Sequence, residues 1–268
     1  MVISLVLIVV PTMLGVLAML VVRRFAPRGG FLSGMESADG IFSAAGAALA
    51  VLLAFVIFTV FESYENARTA AGQEAVATQQ MYSTSGFFPD SADALRGEIV
   101  CYSRSVINDE WPDMSNGKES AQVQGWVNQL DSTIQQTQIR GNGQGAALEN
   151  WLSLSQDRLD ARRTRLAEGR PFVPAFVWFV LILIVLLVVA FQCLFADPAA
   201  TAFGQAIAMT AMTATLVAAL VLIWVLDRPF NDRGAQIAPS RMSAALAVMT
   251  HVPTLPATLP CDATGKAG

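Results

Sequence analysis

Four side chains on one stretch of chain set the first chemical question. Val51, Phe55, Phe58 and Glu62 follow one another at steps of four, three and four residues. At about 100° per residue they fall within about 60° of one another on a helix. If identical helices surrounded an axis, this face would form a hydrophobic constriction ending in a ring of carboxylates. Hydrophobic constrictions gate by dewetting, and carboxylate rings favour cations. The plainer reading has the phenylalanines facing lipid or neighbouring helices, with Glu62 marking the water boundary. A second group, Arg158, Arg162, Arg163 and Arg165, lies just ahead of a long apolar run. Such a basic collar suits anionic lipid head groups. It also serves as an orientation signal, or pairs with Asp157 and Asp160 along its own helix.

Other chemistry is missing. There is one histidine, His251, and no phosphate-cradling glycine loop, HExxH, G-x-S-x-G or Cys-x-x-Cys. The expectation is a protein that is not an enzyme and needs no metal or cofactor. Cys101, Cys193 and Cys261 are odd in number and widely spaced, which suggests neither a disulfide framework nor a metal knuckle. A net charge of −4 gives no sign of a nucleic-acid-binding surface.

The elements that must position these residues follow from where charge is absent. The chain is 54% hydrophobic and 14% charged, against about a quarter charged in soluble proteins. Four apolar runs, 2–22, 40–61, 172–195 and 203–226, carry no Asp, Glu, Lys, Arg or His. Each has the roughly 20 residues needed to cross about 30 Å of hydrocarbon. The first is read as a retained span with a local adjustment at Pro11, because Arg23 and Arg24 follow it and no basic segment precedes it. Self-contained proton pumps and ion-coupled transporters carry an ionisable group inside a span, so the runs argue against both. Small residues four apart, Ala44 with Ala48 and Gly46 with Ala50, and the stripe Gly204, Ala208, Ala211, Thr215 and Ala218 in the fourth run, suit close helix packing within or between protomers.

Between the second and third spans the polar region reads as all-helical. Leu95, Ile99, Tyr102 and Val106 share one face, as do Val123, Trp126, Leu130 and Ile134. "GNGQG" at 141–145 reads as a break, and Leu148, Leu152, Leu159 and Leu166 as the inner face of the next helix. Trp111 is expected in the insert's core, with Pro112 ending its helix. The fold class is therefore all-α, an integral membrane protein with four transmembrane helices and a helical cytoplasmic insert between spans two and three. The expected divisions are spans one and two over 1–61, the insert over 62–171, spans three and four over 172–230, and a tail over 231–268. The tail is read as one short helix (Met242, Leu246, Met249) followed by a disordered Pro-rich end. Arginines near the span ends favour N-terminus, insert and C-terminus all cytoplasmic, in a bacterial inner membrane. Arg23, Arg24 and Arg28 in the first loop dissent.

Three local patterns sharpen this order: "CYSRSVINDEWPDMSNG" at 101–117, "DRLDARRTRLAEGRPFVPAFVW" at 157–178 and "LDRPFNDRGAQIAPSRM" at 226–242. With them the chain resembles the bestrophin-like family of small bacterial membrane proteins of unknown function. The resemblance rests on Arg104, Glu110–Trp111–Pro112, Arg162 to Leu166, and Pro229–Phe230; Asn231 stands where the family commonly has Gly, with Gly only at 234. Through its relation to bestrophins, which are pentameric anion channels, the resemblance implies a homo-oligomer whose second spans line an ion path. Glu62 departs from that, since a carboxylate exit favours cations. The competing expectations are a non-conducting scaffold or accessory subunit whose insert docks a protein partner, an ion-driven motor subunit, and a sensor whose insert lies outside the cell. Membrane lipids and further copies of the chain are the expected partners.

Overall fold

The computed structural model describes residues 2–28, 31, 38–114 and 118–268. Nine α-helices are found among them: α1 Val2–Phe25, α2 Ala38–Thr84, α3 Ala92–Ser105, α4 Trp111–Met114, α5 Ala121–Gln136, α6 Gly141–Glu168, α7 Ala175–Leu194, α8 Ala202–Leu226 and α9 Ser240–Thr250. A 3₁₀ turn, Ser85–Phe87, follows α2, and a π turn, Val106–Glu110, joins α3 to α4. Among the described residues four helices are long and apolar enough to cross a membrane. The all-α, four-span class expected from the sequence is what is observed. Two compact units emerge, each with its own packing.

Unit 1 comprises residues 1–63, 171–228 and 232–235. α1 and α8 pack through small contacts. A Cβ on Gly15 would lie 3.3 Å from Thr213 Cγ2 and 3.5 Å from Met209 Cε, and Thr12, Gly15 and Met19 form the buried stripe of α1. The helix runs unbroken through Pro11. Past the end of the α1 stripe, the Arg23 guanidinium donates to Gln205 Oε1 at 2.7 Å and to Ala200 O at 2.6 Å. At the far end of α8, Asp227 Oδ1 accepts the backbone N–H groups of Phe172 and Val173 at 2.9 and 2.8 Å. That carboxylate ties the exit of α8 to the entry of α7.

Unit 2 comprises residues 64–170, 229–231 and 236–268. Its core matches the two faces expected for α3 and α5: Leu95, Ile99, Tyr102, Val106, Val123, Trp126, Leu130 and Ile134 are all buried. Trp111 is also buried, and its indole N–H donates to Ile237 O at 2.9 Å. Four local expectations need correction. Pro112 does not end its helix; it lies two residues past the π turn, inside a helical run that continues from Ala92 to Met114. "GNGQG" is not a break, since α6 begins at Gly141, whose φ of 78° makes the turn into the helix. The leucine stripe is only part of the inner face of α6: Leu148, Leu159 and Leu166 pack half-buried against the core and Leu152 is exposed, while Ala147, Trp151, Leu154, Ser155, Arg158, Ala161, Arg162 and Arg165 are buried. The tail is not disordered past α9, for residues 251–268 lie on unit 2 as an extended strap joined to α3 by a Cys101–Cys261 disulfide. That pairing overturns the expectation of unpaired cysteines; only Cys193 is free.

Candidate functional site

α2 is one uninterrupted 47-residue helix. In its apolar half Leu49, Leu53, Val56 and Val60 are buried. Val51, Phe55 and Phe58 stand 71%, 66% and 65% exposed, so three large apolar side chains have no cover from their own chain. Glu62 is exposed directly after them on the same face, followed by Asn66, Thr69 and Gln73 at helical spacing. The stripe therefore changes from apolar to polar at Glu62 without a change of helix face. The small-residue stripes also look outward. Ala44, Ala48, Ala50, Gly204, Ala208 and Ala211 are exposed, Gly46 and Ala218 half-buried, and nothing approaches a Cβ placed on Gly46 within 4 Å. Within one chain these residues do not carry the α1–α8 contact. Gly15, Thr213 and Met209 do.

The arginine group has a different location from the one expected. Arg158 and Arg165 are 0% exposed and Arg162 5%, which removes them from lipid head groups. Only Arg163 keeps an exposed head, 3.2 Å from Asp160. Inside unit 2, Arg165 Nε meets Glu74 Oε2 at 2.5 Å and its Nη2 meets Glu110 Oε1 at 2.6 Å. Arg162 Nη2 meets Glu110 Oε2 at 2.5 Å, and its Nη1 donates to Gln124 Oε1 at 3.0 Å. Tyr102 OH donates to Glu74 Oε1 at 2.6 Å. Arg158 lies over the Tyr102 ring at 4.7 Å and Arg165 over the Trp111 ring at 4.9 Å. Trp111 in turn packs edge-on against Phe230 at 5.4 Å. Arginine is suited to this task because its planar fork binds carboxylates and stacks on aromatic faces.

The network joins α2, α3, the π turn, α4 and α6. Burial opposes ionisation of Glu110, but hydrogen bonds from Arg162 and the charge of Arg165 outweigh it and hold its carboxyl below the ordinary range. Burial likewise opposes the charge on Arg165, and Glu74 beside it more than restores the proton. Burial and then the Glu74 charge push the Tyr102 phenol up, so it stays a donor. A π turn is a common device for re-aiming side chains at functional positions; here Glu110 is its last residue. Sequence reasoning missed Glu74, Tyr102 and Glu110 as partners. The available signal was Trp151, Leu154, Arg158, Ala161 and Arg165 at helical spacing, which puts arginines on an apolar face.

Unit 2 also holds an open groove of about 1580 Å³ between α2, α6 and α9. Its walls mix small apolar residues (Ala71, Ala75, Ala245) with Glu65, Arg68, Asp157 and Arg241.

Comparison with known proteins bears on these features. The profile of the bestrophin-like domain matches residues 9–242. A point-mutant crystal structure of a bacterial bestrophin homologue from Klebsiella pneumoniae superposes with a TM-score of 0.68 at 16% identity, over 91% of this chain and 99% of that one. A second crystal structure of a bestrophin homologue from the same organism, phased on zinc, gives 0.66 at 16% identity, over 91% and 98%. A crystal structure described as a membrane protein gives 0.68 at 14% identity, over 97% and 100%. No curated protein matches the sequence.

Proposed function

Because the chain belongs to the bestrophin-like family, we propose that it is a homo-oligomeric membrane channel in which the second spans surround the ion path. The observation that carries this reading is the α2 stripe: Val51, Phe55, Phe58 and Glu62 share one face, left uncovered by the chain itself. Around an axis the phenylalanines form a constriction short enough to gate by dewetting, and Glu62 forms its charged rim. The outward small-residue stripes of α2 and α8 support contacts between protomers. A carboxylate rim favours cations, so selectivity follows from Glu62 rather than from what bestrophins conduct. Unit 2 lies on the cytoplasmic side in this reading, as the arginines flanking spans two, three and four favour. Arg163 is the member of the arginine group left to meet anionic lipid head groups.

The test is the mass of the purified chain in mild detergent and its current in planar bilayers. The reading expects a closed oligomer and a cation-selective current, with Glu62→Gln lowering that selectivity. A monomer, or an oligomer that never conducts, contradicts it. The groove beside α2, α6 and α9 favours one alternative, a non-conducting scaffold that docks a partner through unit 2. That alternative predicts a stable complex with a second protein and no current.

A further inference from the structure

The C-terminal strap is built to lie where it does. A Cβ on Gly265 would overlap the Ser105 backbone nitrogen, and Gly265 has φ of 86°, which L side chains rarely adopt. A Cβ on Gly97 would sit 2.9 Å from Pro260 Cδ. Two glycines, one on each partner, therefore admit the contact. Gly265 O accepts from Trp126 Nε1 at 2.7 Å and from Ser105 Oγ at 2.8 Å. Arg104 Nη1 donates to Asp262 O at 2.9 Å. Within the strap, Asp262 Oδ1 accepts from the Thr264 and Lys266 amides, folding it into a tight loop. Trp126, Ser105 and Cys101 are buried in the docked state.

The covalent part of this contact is Cys101–Cys261. Structural disulfides belong to oxidising compartments, and in reducing ones they are transient and redox-sensing. We propose that Cys101–Cys261 is a redox latch that locks the C-terminal strap onto α3 and α5 when oxidised and frees it when a dithiol reduces it. The transient character rests on the cytoplasmic placement of unit 2 proposed above. Cys261 is the half-buried residue of the pair and Cys101 the fully buried one, so the entry point is Cys261. A dithiol's thiolate attacks Cys261 Sγ, forms a mixed disulfide there and expels Cys101 as a thiolate that takes up a proton. The dithiol's second thiolate then attacks its own first sulfur, closes a disulfide and expels Cys261. Two electrons pass from the dithiol to the cysteine pair. Arg104 Nη1 lies 3.9 Å from Cys261 Sγ, where its charge favours the departing thiolate. Oxidation by a disulfide reverses these steps. The strap also grips Ser105, the residue just before the π turn that presents Glu110. Its release therefore loosens the entry to the buried ion network.

The test has two arms on the full chain. In spheroplasts, thiols are trapped in acid and alkylated, and peptides containing Cys101 and Cys261 are weighed. The latch predicts a dithiol in untreated cells and a disulfide after a permeant oxidant, resistant to a later membrane-impermeant phosphine. A pair reduced under both conditions, or oxidised under both, overturns the latch. Reduction by the impermeant phosphine overturns the cytoplasmic placement instead. In the second arm, amide exchange is followed on purified oxidised protein, reduced protein, Cys261→Ser and Gly265→Ala. Strap amides at 262–268 should exchange at least about tenfold faster in the last three. Unchanged exchange after reduction would mean the disulfide does not hold the strap, which overturns the latch.

Discussion

In unit 1 the four apolar runs carry no Asp, Glu, Lys, Arg or His, and α1 meets α8 through Gly15, Thr213 and Met209. In unit 2 three arginines and two glutamates lie 0–5% exposed in one connected network. The contrast concerns where each unit gets its specificity. Unit 2 finds most of its partners within the chain: Arg165 pairs with Glu74 and Glu110, Arg162 with Glu110, and the strap is held by Cys101, Ser105 and Trp126. Unit 1 leaves Val51, Phe55, Phe58 and two stripes of small residues without any. Those side chains are left for lipid or for further copies of the chain to cover, and the proposed oligomer assigns the α2 stripe to the copies.

The largest expected effect breaks the finished side. Arg165→Met strips Glu74 and Glu110 of their shared cation, and an uncompensated buried charge costs about 3–5 kcal/mol. Hydrogen exchange across α5 and α6 should rise accordingly, while exchange in α1 and α8 stays unchanged. Acid acts on the same network. The Glu110 carboxyl is held below its ordinary value of 4.5, so its contribution is complete above that value and is lost as pH falls through the lower folded one. Glu98 works in the opposite sense. Burial raises its pKa from 4.5 against the hydrogen bond from Thr133, so its protonation relieves a deficit first. Acid titration of unit 2 should therefore show a small gain, then a loss below pH 4.5 that Glu110→Gln removes.

A smaller effect is expected in unit 1. Asp227→Ala orphans the Phe172 and Val173 amides, a loss of about 2–3 kcal/mol for hydrogen bonds to a charged acceptor. It should appear as faster exchange of those two amides, with unit 2 untouched. The smallest effect on stability is expected at the exposed stripe. Phe55→Ala should change exchange throughout the chain by less than about 0.5 kcal/mol.

How far the fold was legible depended on the kind of side chain that carries it. Spans were readable because twenty apolar residues in a row admit few other structures. The faces of α3 and α5 were readable because Leu, Ile, Val and Trp recur at helical spacing. α6 was misread because its inner face is partly arginine, and periodicity counts a charge as an outward side chain. Only the partners Glu74 and Glu110, 91 and 55 residues from Arg165, make that face buriable. The strap was misread for a similar reason. Its Pro-rich composition has no helical periodicity; Val252, Leu255 and Leu259 pack on the core without one, and backbone acceptors, two glycines and a sulfur bridge from residue 101 to residue 261 hold the rest. Glu62 and the phenylalanines were placed on one face by spacing alone. What they face depends on other copies, which one sequence does not contain.

The central claim, that the second spans line the ion path, is tested most directly by Phe58→Cys. Current through the purified variant is recorded in a planar bilayer while a cationic methanethiosulfonate reagent is added. The account predicts a current that the reagent blocks irreversibly in the variant and leaves intact in the parent chain, both purified in the oxidised form so that Cys101 and Cys261 are paired and only the buried Cys193 is a thiol in the parent. A current indifferent to the reagent, or no current from either chain, would contradict it.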